Sequence, residues 1–269
     1  NNIISESSDT ITIGASGDTV NVVGTLQNNG SAVEVDSVTF KEGGTNFTNS
    51  LLVGTSSTGT LDAAQNNTGV GLGVFAALTS GDGNTAVGTN SLDANTTGAN
   101  NVAVGFNSMG SNTTGSDNTS TGVESLVSAT TAASNAAFGR QAMCKTTTGA
   151  SNTAAGAFAL CANTTGACNV AVGKDSLKEN TTANNNTAVG LCALTVNTTG
   201  AENTSVGRKS LVANTTGVCN VAVGVNALFS NTTGANNVAF GVSALETNST
   251  ADNNTAVGFE ALKDNTTGT

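Results

Sequence analysis

Residues 186–202 run Asn-Thr-Ala-Val-Gly-Leu-Cys-Ala-Leu-Thr-Val-Asn-Thr-Thr-Gly-Ala-Glu, one copy of a motif that recurs along the chain. Seventeen residues on, Asn203-Thr-Ser-Val-Gly returns with Asn214-Thr-Thr-Gly behind it; seventeen back stands Asn169-Val-Ala-Val-Gly. The glycine at the fifth place recurs at 71, 88, 105, 122, 139, 156, 173, 190, 207, 224, 241 and 258 without a slip of phase. A short fixed period marks a solenoid or stacked array, because each copy is too small to bury a core alone. Numbering every copy from its leading Asn divides residues 67–269 into twelve repeats, preceded by a segment over 1–66.

The repeat is read position by position. Position one is Asn in all twelve copies; two is mostly Thr or Val, three mostly Ala, four mostly Val and five always Gly. Leu recurs at nine, as in Leu92, Leu177, Leu194 and Leu245, and twelve to fifteen are typically Asn-Thr-Thr-Gly. Two glycines and two Asn-Thr steps in seventeen residues make a poor helical hairpin. The alternation at two to four instead suits a short strand, with two and four on one face and three on the other. Every charged residue between 67 and 269 falls at position six, seven, ten, eleven, sixteen or seventeen. A charge inside a narrow coil is very costly, so the uncharged positions mark the inside and the tight turns.

The fold class expected is therefore all-β: a parallel β-roll or β-solenoid of twelve 17-residue coils, rising about 4.8 Å per coil. Glycines at five and fifteen serve bends that need positive φ or close backbone approach. Asn at one and twelve stack into amide ladders, as identical side chains do in stacked parallel strands. The Asn-x-Thr sequons at Asn95, Asn163 and Asn231 recur because that turn recurs. The core is expected to be thin, made of Val, Ala and Leu. Ala at position three, on the face away from Val, needs a partner to bury it, and a cyclic homo-oligomer supplies one.

Segment 1–66 reads as a β-rich N-terminal collar or shaft. Thr10-Ile-Thr-Ile-Gly and Thr19-Val-Asn-Val-Val-Gly alternate as half-buried strands; Ser37-Val-Thr-Phe and Leu51-Leu-Val-Gly follow, with glycine turns between.

Composition excludes several classes. The chain has no Pro, Trp, Tyr or His and only 10% charged residues, so no compact aromatic core is available. A net charge of −10 argues against nucleic acid and anionic membranes as partners. No apolar run is long enough to span a bilayer. No acid–base pair, activated nucleophile, cofactor loop or metal set is found, so catalytic, cofactor-binding and metal-site residues are each read as none. Gly173-Lys174 lacks the upstream glycine of a phosphate loop. Of the five cysteines, Cys144 and Cys161 share position ten, Cys168 and Cys219 share seventeen, and Cys192 sits at seven. In-register stacking points the side chains of the Cys144–Cys161 pair parallel, so free thiols are expected.

The motif Asn-Thr-Ala-Val-Gly-x-x-Ala-Leu-x-x-Asn-Thr-Thr-Gly resembles the head repeats of trimeric autotransporter adhesins, whose Asn-Ser-Val-Ala-Ile-Gly motif builds a left-handed β-roll trimer. It looks closer still to repeats in bacteriophage tail-fibre proteins over residues 67–269. Asp9-Thr-Ile-Thr-Ile-Gly-Ala-Ser-Gly-Asp-Thr-Val is similar to strand repeats upstream in such fibres. The resemblance implies a homotrimer, placed here with the Ala faces near the axis. It also implies a virion protein that spaces a host-binding tip, with self, other tail proteins and a host-surface glycan or protein as partners. The membrane anchor, coiled-coil stalk and chaperone domain of those families are absent from these residues. The stop at Thr269, one residue short of a full twelfth repeat, suggests a fragment, a processed product or a continuation. A cell-surface adhesin or extracellular filament is the alternative. An ice-binding solenoid stands third, because the paired threonines at thirteen and fourteen fall in a turn rather than on a flat strand face.

Overall fold

The computed structural model describes residues 33–35, 38–42, 46–54 and 58–268, with side chains from residue 46 onward. The elements are β1 (Val33–Val35), β2 (Val38–Glu42), β3 (Phe47–Thr48), β4 (Leu51–Val53), β5 (Ala64–Gln65) and β6 (Thr68–Val70). One three-residue strand per coil follows, from β7 (Thr85–Val87) to β17 (Thr255–Val257). The described residues contain no helix. The chain is a parallel β-solenoid of about twelve turns on a seventeen-residue spacing. The expected strands at 37–40 and 51–54 correspond to β2 and β4; those at 10–14 and 19–24 lie outside the described residues.

One fifteen-stranded sheet runs the length of the array, parallel from β4 onward. Its register is a strict seventeen, with Thr187 facing Thr204, Ala188 facing Ser205 and Val189 facing Val206. The other sides of the coil stack equally well. Thr198 N–H donates to the Thr215 carbonyl at 2.9 Å, and Leu194 N–H to the Ser210 carbonyl at 3.0 Å. Every coil thereby satisfies its backbone through its neighbours.

The array begins one coil earlier than Asn67. β4 pairs parallel with β6, Leu51 opposite Thr68. Ser50 Oγ accepts the Asn67 N–H at 2.8 Å, the role an Asn carbonyl plays in later coils. Leu52 is buried and Gly54 has φ 103°, so residues 50–66 hold the same phase with a worn sequence. β1 and β2 then form an antiparallel hairpin that pairs β2 with β4, Phe40 opposite Val53. The hairpin covers an edge that would otherwise template pairing with another chain.

The strand faces are the reverse of those the sequence suggested. Position three points inward: Ala86, Ala103, Ala137, Ala171, Ala188 and Ala222 have no exposed surface. Positions two and four point out, with Val87, Val172 and Val189 each above a third exposed. The interior already holds a large apolar side chain at position nine, Leu or Met in most coils and Phe75 in the first repeat, with an asparagine amide at one and, in most coils, a second at twelve. Only Ala, Ser or Gly fits the third place beside them. Ala therefore needs no partner chain for its burial, and the expectation of an Ala-lined axis fails.

The two glycines act by different means. Gly190 has φ 139°, and a Cβ there would stand 2.5 Å from the Gly207 carbonyl oxygen. Gly200 is not left-handed; a Cβ would run into the Gly217 carbonyl and the Asn197 amide. Left-handed backbone also recurs without glycine, at positions seven, nine and seventeen: Cys192 at φ 55°, Leu194 at 51° and Glu202 at 61°. In a chain rich in Val and Thr, none of these three positions carries a β-branched residue in any copy. That exclusion has a physical cause, because a branched Cβ at positive φ is the worst clash.

Candidate functional site

The residues singled out in the sequence are brought together as structural ladders. Asn203 N–H and Nδ2 both donate to Asn186 Oδ1, at 3.0 and 3.2 Å, and Nδ2 also donates to the Gly217 carbonyl at 2.9 Å. The second ladder runs through position twelve, where Asn197 Nδ2 donates to Asn180 Oδ1 at 3.0 Å and to the Gly200 carbonyl at 2.8 Å. These amides are buried. Along most of each ladder the amide is satisfied by the neighbouring copies, which is why they recur so strictly, and Asn248 Oδ1, at the C-terminal end of the position-twelve ladder, is buried without a partner. The ladder breaks where position twelve is Ala129 and then Thr146, and Asn112 Oδ1 is left buried without a partner.

Outside the coil run three surfaces. The first is the sheet face of positions two and four, formed by Thr, Val, Ala and Phe with no charge in any coil. Phe138 is 45% and Phe240 57% exposed on it. The second is the edge formed by the turn over positions six to eleven, which holds most of the charges. There the Phe158 ring lies between Arg140, 5.2 Å from its centroid, and Lys178, 5.9 Å. Columns six, seven and ten of successive coils therefore share one edge. The third is a threonine row. At position thirteen the hydroxyl is consumed internally, as in Thr198 Oγ1 donating to the Thr215 carbonyl at 3.1 Å. At position fourteen Thr stands exposed from Thr97 to Thr267, one per coil, and these hydroxyls have no partner among the described residues. The row lies on a bend, as the sequence implied.

Cys144 and Cys161, expected as free thiols, are joined as a disulfide between neighbouring coils, with Cα atoms 4.9 Å apart. Position ten lies in the turn segment, where no pleat holds the side chains parallel. Cys168, Cys192 and Cys219 are free. All three occupy left-handed positions that exclude branched residues, a sufficient reason for a small unbranched side chain there.

The Cys219 thiol donates to the Glu202 carboxylate at 3.4 Å, and that bond raises its pKa, the opposite of nucleophile activation. Ser205 and Ser210 pair with each other in the core without a base beside them. Among the described residues no group of three or more His, Cys, Asp or Glu is placed to hold a metal ion. No helix among them is long and apolar enough to cross a membrane. No protein-family model, curated protein or solved structure matches the chain.

Proposed function

We propose that the protein is a non-catalytic structural and adhesive fibre component, a rigid spacer that assembles as a homotrimer and belongs to a phage tail fibre. One observation carries the assembly: the uncharged sheet face of positions two and four, turned outward and at least partly exposed over the whole array. A three-residue strand is about 10 Å wide, and twelve coils at about 4.8 Å extend roughly 58 Å. The face therefore measures about 600 Å². That is of the order of the ~800 Å² each partner buries in a stable complex. A second copy brings the same face with the same coil spacing, so apolar side chains of each chain meet their equivalents along the whole length. The axis of the trimer then lies beside Val and Phe, with Ala inside each coil. The number three and the virion setting rest on the likeness of the repeat to adhesin heads and tail fibres; a cell-surface adhesin would use the same assembly.

The test is solution mass by light scattering, without cross-linker. A mass near three times 26.2 kDa is expected for the native chain. Val189→Asp with Val206→Asp places charges on the face and is expected to give monomers. A native chain that is monomeric overturns the assembly. A second reading, ice binding, is favoured by the unbroken row of unpartnered threonine hydroxyls at position fourteen. Thermal hysteresis abolished by Thr165→Val and Thr199→Val would support it, and absence of hysteresis removes it.

A further inference from the structure

The charged edge has an internal pattern that neither folding nor self-assembly uses. Six of the eight Lys and Arg residues, Arg140, Lys145, Lys174, Lys178, Arg208 and Lys209, fall within five consecutive coils of a chain whose net charge is −10. In the column of position six, Arg140, Lys174 and Arg208 occupy every second coil, with Ala157 and Leu191 between them. All three cations are exposed. Elsewhere that column is Leu72, Thr89, Phe106, Val123, Val225, Val242 and Phe259, so an uncharged residue satisfies the fold there.

Partners within the chain account for only part of the charge. Lys174 and Lys178 pair with Asp175 at 3.5 and 3.9 Å, and Lys178 with Glu179 at 3.9 Å. Arg140, Lys145, Arg208 and Lys209 make no ion pair among the described residues. Their coils, 135–151 and 203–219, contain no Asp or Glu at all. A cyclic assembly sets each coil against the same coil of its neighbours, so it supplies no counter-charge at those heights either. The turn carries this edge off the sheet face, beside the proposed interface rather than within it.

We infer that this edge is a binding surface for an acidic polysaccharide lying along the array. The ligand would carry one carboxylate or sulfate on about every second sugar. Two coils advance roughly 10 Å at the strand spacing of about 4.8 Å. That matches the length of two sugars in an extended chain. Duplex nucleic acid presents a phosphate charge about every 1.7 Å of axis, far denser than this row answers. Leu191 and Ala157, between the cations, offer apolar contact to the sugar faces. The inference gives the adhesive part of the fibre reading a site and a ligand class, and it holds for a monomer as for a trimer.

The experiment measures binding of the full chain to immobilised hyaluronan oligosaccharides by interferometry, at low and at high salt. Neutral dextran and single-stranded DNA serve as comparators. The probe variant is Arg140→Thr, Lys174→Thr and Arg208→Thr together, a side chain column six already accepts at Thr89. Lys263→Thr is the control, a cation on the same edge outside the row. Hyaluronan binding that weakens with salt and falls at least tenfold in the triple variant, but not in the control, is expected. Absence of hyaluronan binding, tighter binding to DNA, or a triple variant that binds as the native chain does would each overturn it. Light scattering on the same samples separates the two ideas. A monomer that binds sinks only the trimer, and a trimer that does not bind sinks only this edge.

Discussion

Ala129→Asn should stabilise the protein, although it places a polar side chain in a fully buried site. At Asn112 the ladder of position twelve stops: its Nδ2 donates to Asn95 Oδ1 at 2.9 Å and to the Gly115 carbonyl at 3.0 Å, but its own Oδ1 has no partner. The next two copies carry Ala129 and Thr146, and the ladder resumes at Asn163. An Asn at 129 would donate to the orphaned Oδ1 and to the Ala132 carbonyl, as its counterparts do in six other coils, and its own Oδ1 would face the hydroxyl of Thr146 in the next coil. A buried unsatisfied acceptor costs about 1–3 kcal/mol, and a made bond contributes about 1. Ordering the new side chain and desolvating its amide take back roughly 1–2 kcal/mol. The expected net gain is about 1–2 kcal/mol. Stacked coils open in nearest-neighbour units, so a local readout is needed beside the melt. Amide exchange in residues 101–151 should slow about tenfold, and the melting temperature should rise by a few degrees. The inverse change, Asn197→Ala, removes the bonds to Asn180 and Gly200 and the one accepted from Asn214 at 2.9 Å. It should cost about 2–4 kcal/mol. If Ala129→Asn destabilises the stack while Asn197→Ala is neutral, amide ladders are not what holds position twelve.

Gly190→Val should lower the melting temperature through two separate faults, left-handed backbone and a collision with the Gly207 carbonyl. The cost is at least about 2 kcal/mol, and an unchanged melt would refute the turn geometry. Thiol titration under denaturing, non-reducing conditions should count three free thiols, from Cys168, Cys192 and Cys219; five would show that Cys144 and Cys161 are unlinked. Burial raises the Asp93 carboxyl above its ordinary value, against backbone hydrogen bonds that lower it less. Its neutral form therefore favours the fold. That contribution is full below the unfolded pKa and is lost as pH rises through the raised folded value. Asp93→Asn should flatten this part of the stability-versus-pH curve, and an unaltered curve would assign the dependence elsewhere.

The architecture is legible in the repeat alone. A seventeen-residue phase held over twelve copies can be satisfied only by identical units stacked in register, and the charge-free positions marked which residues could be inside. Position-five glycines and the asparagine ladders followed, because a left-handed bend and a buried amide each restrict the residue to one or two types. One legible signal was missed: the lack of branched side chains at seven, nine and seventeen, which marks left-handed backbone without glycine. Which face of the strand turns inward is set by packing and not by the repeat. Alternation separates Ala188 from Thr187 and Val189 but gives no direction, and hydrophobicity favours the wrong one. The choice is made across the coil, where Leu194, Asn186 and Asn197 fill a space so narrow that only the smallest side chain fits opposite them. The Cys144–Cys161 link was hidden for a similar reason, since the path of a turn is set by the coils packed on either side of it. Val and Phe are thereby left outside in a row, and the surface available for assembly is a product of that packing.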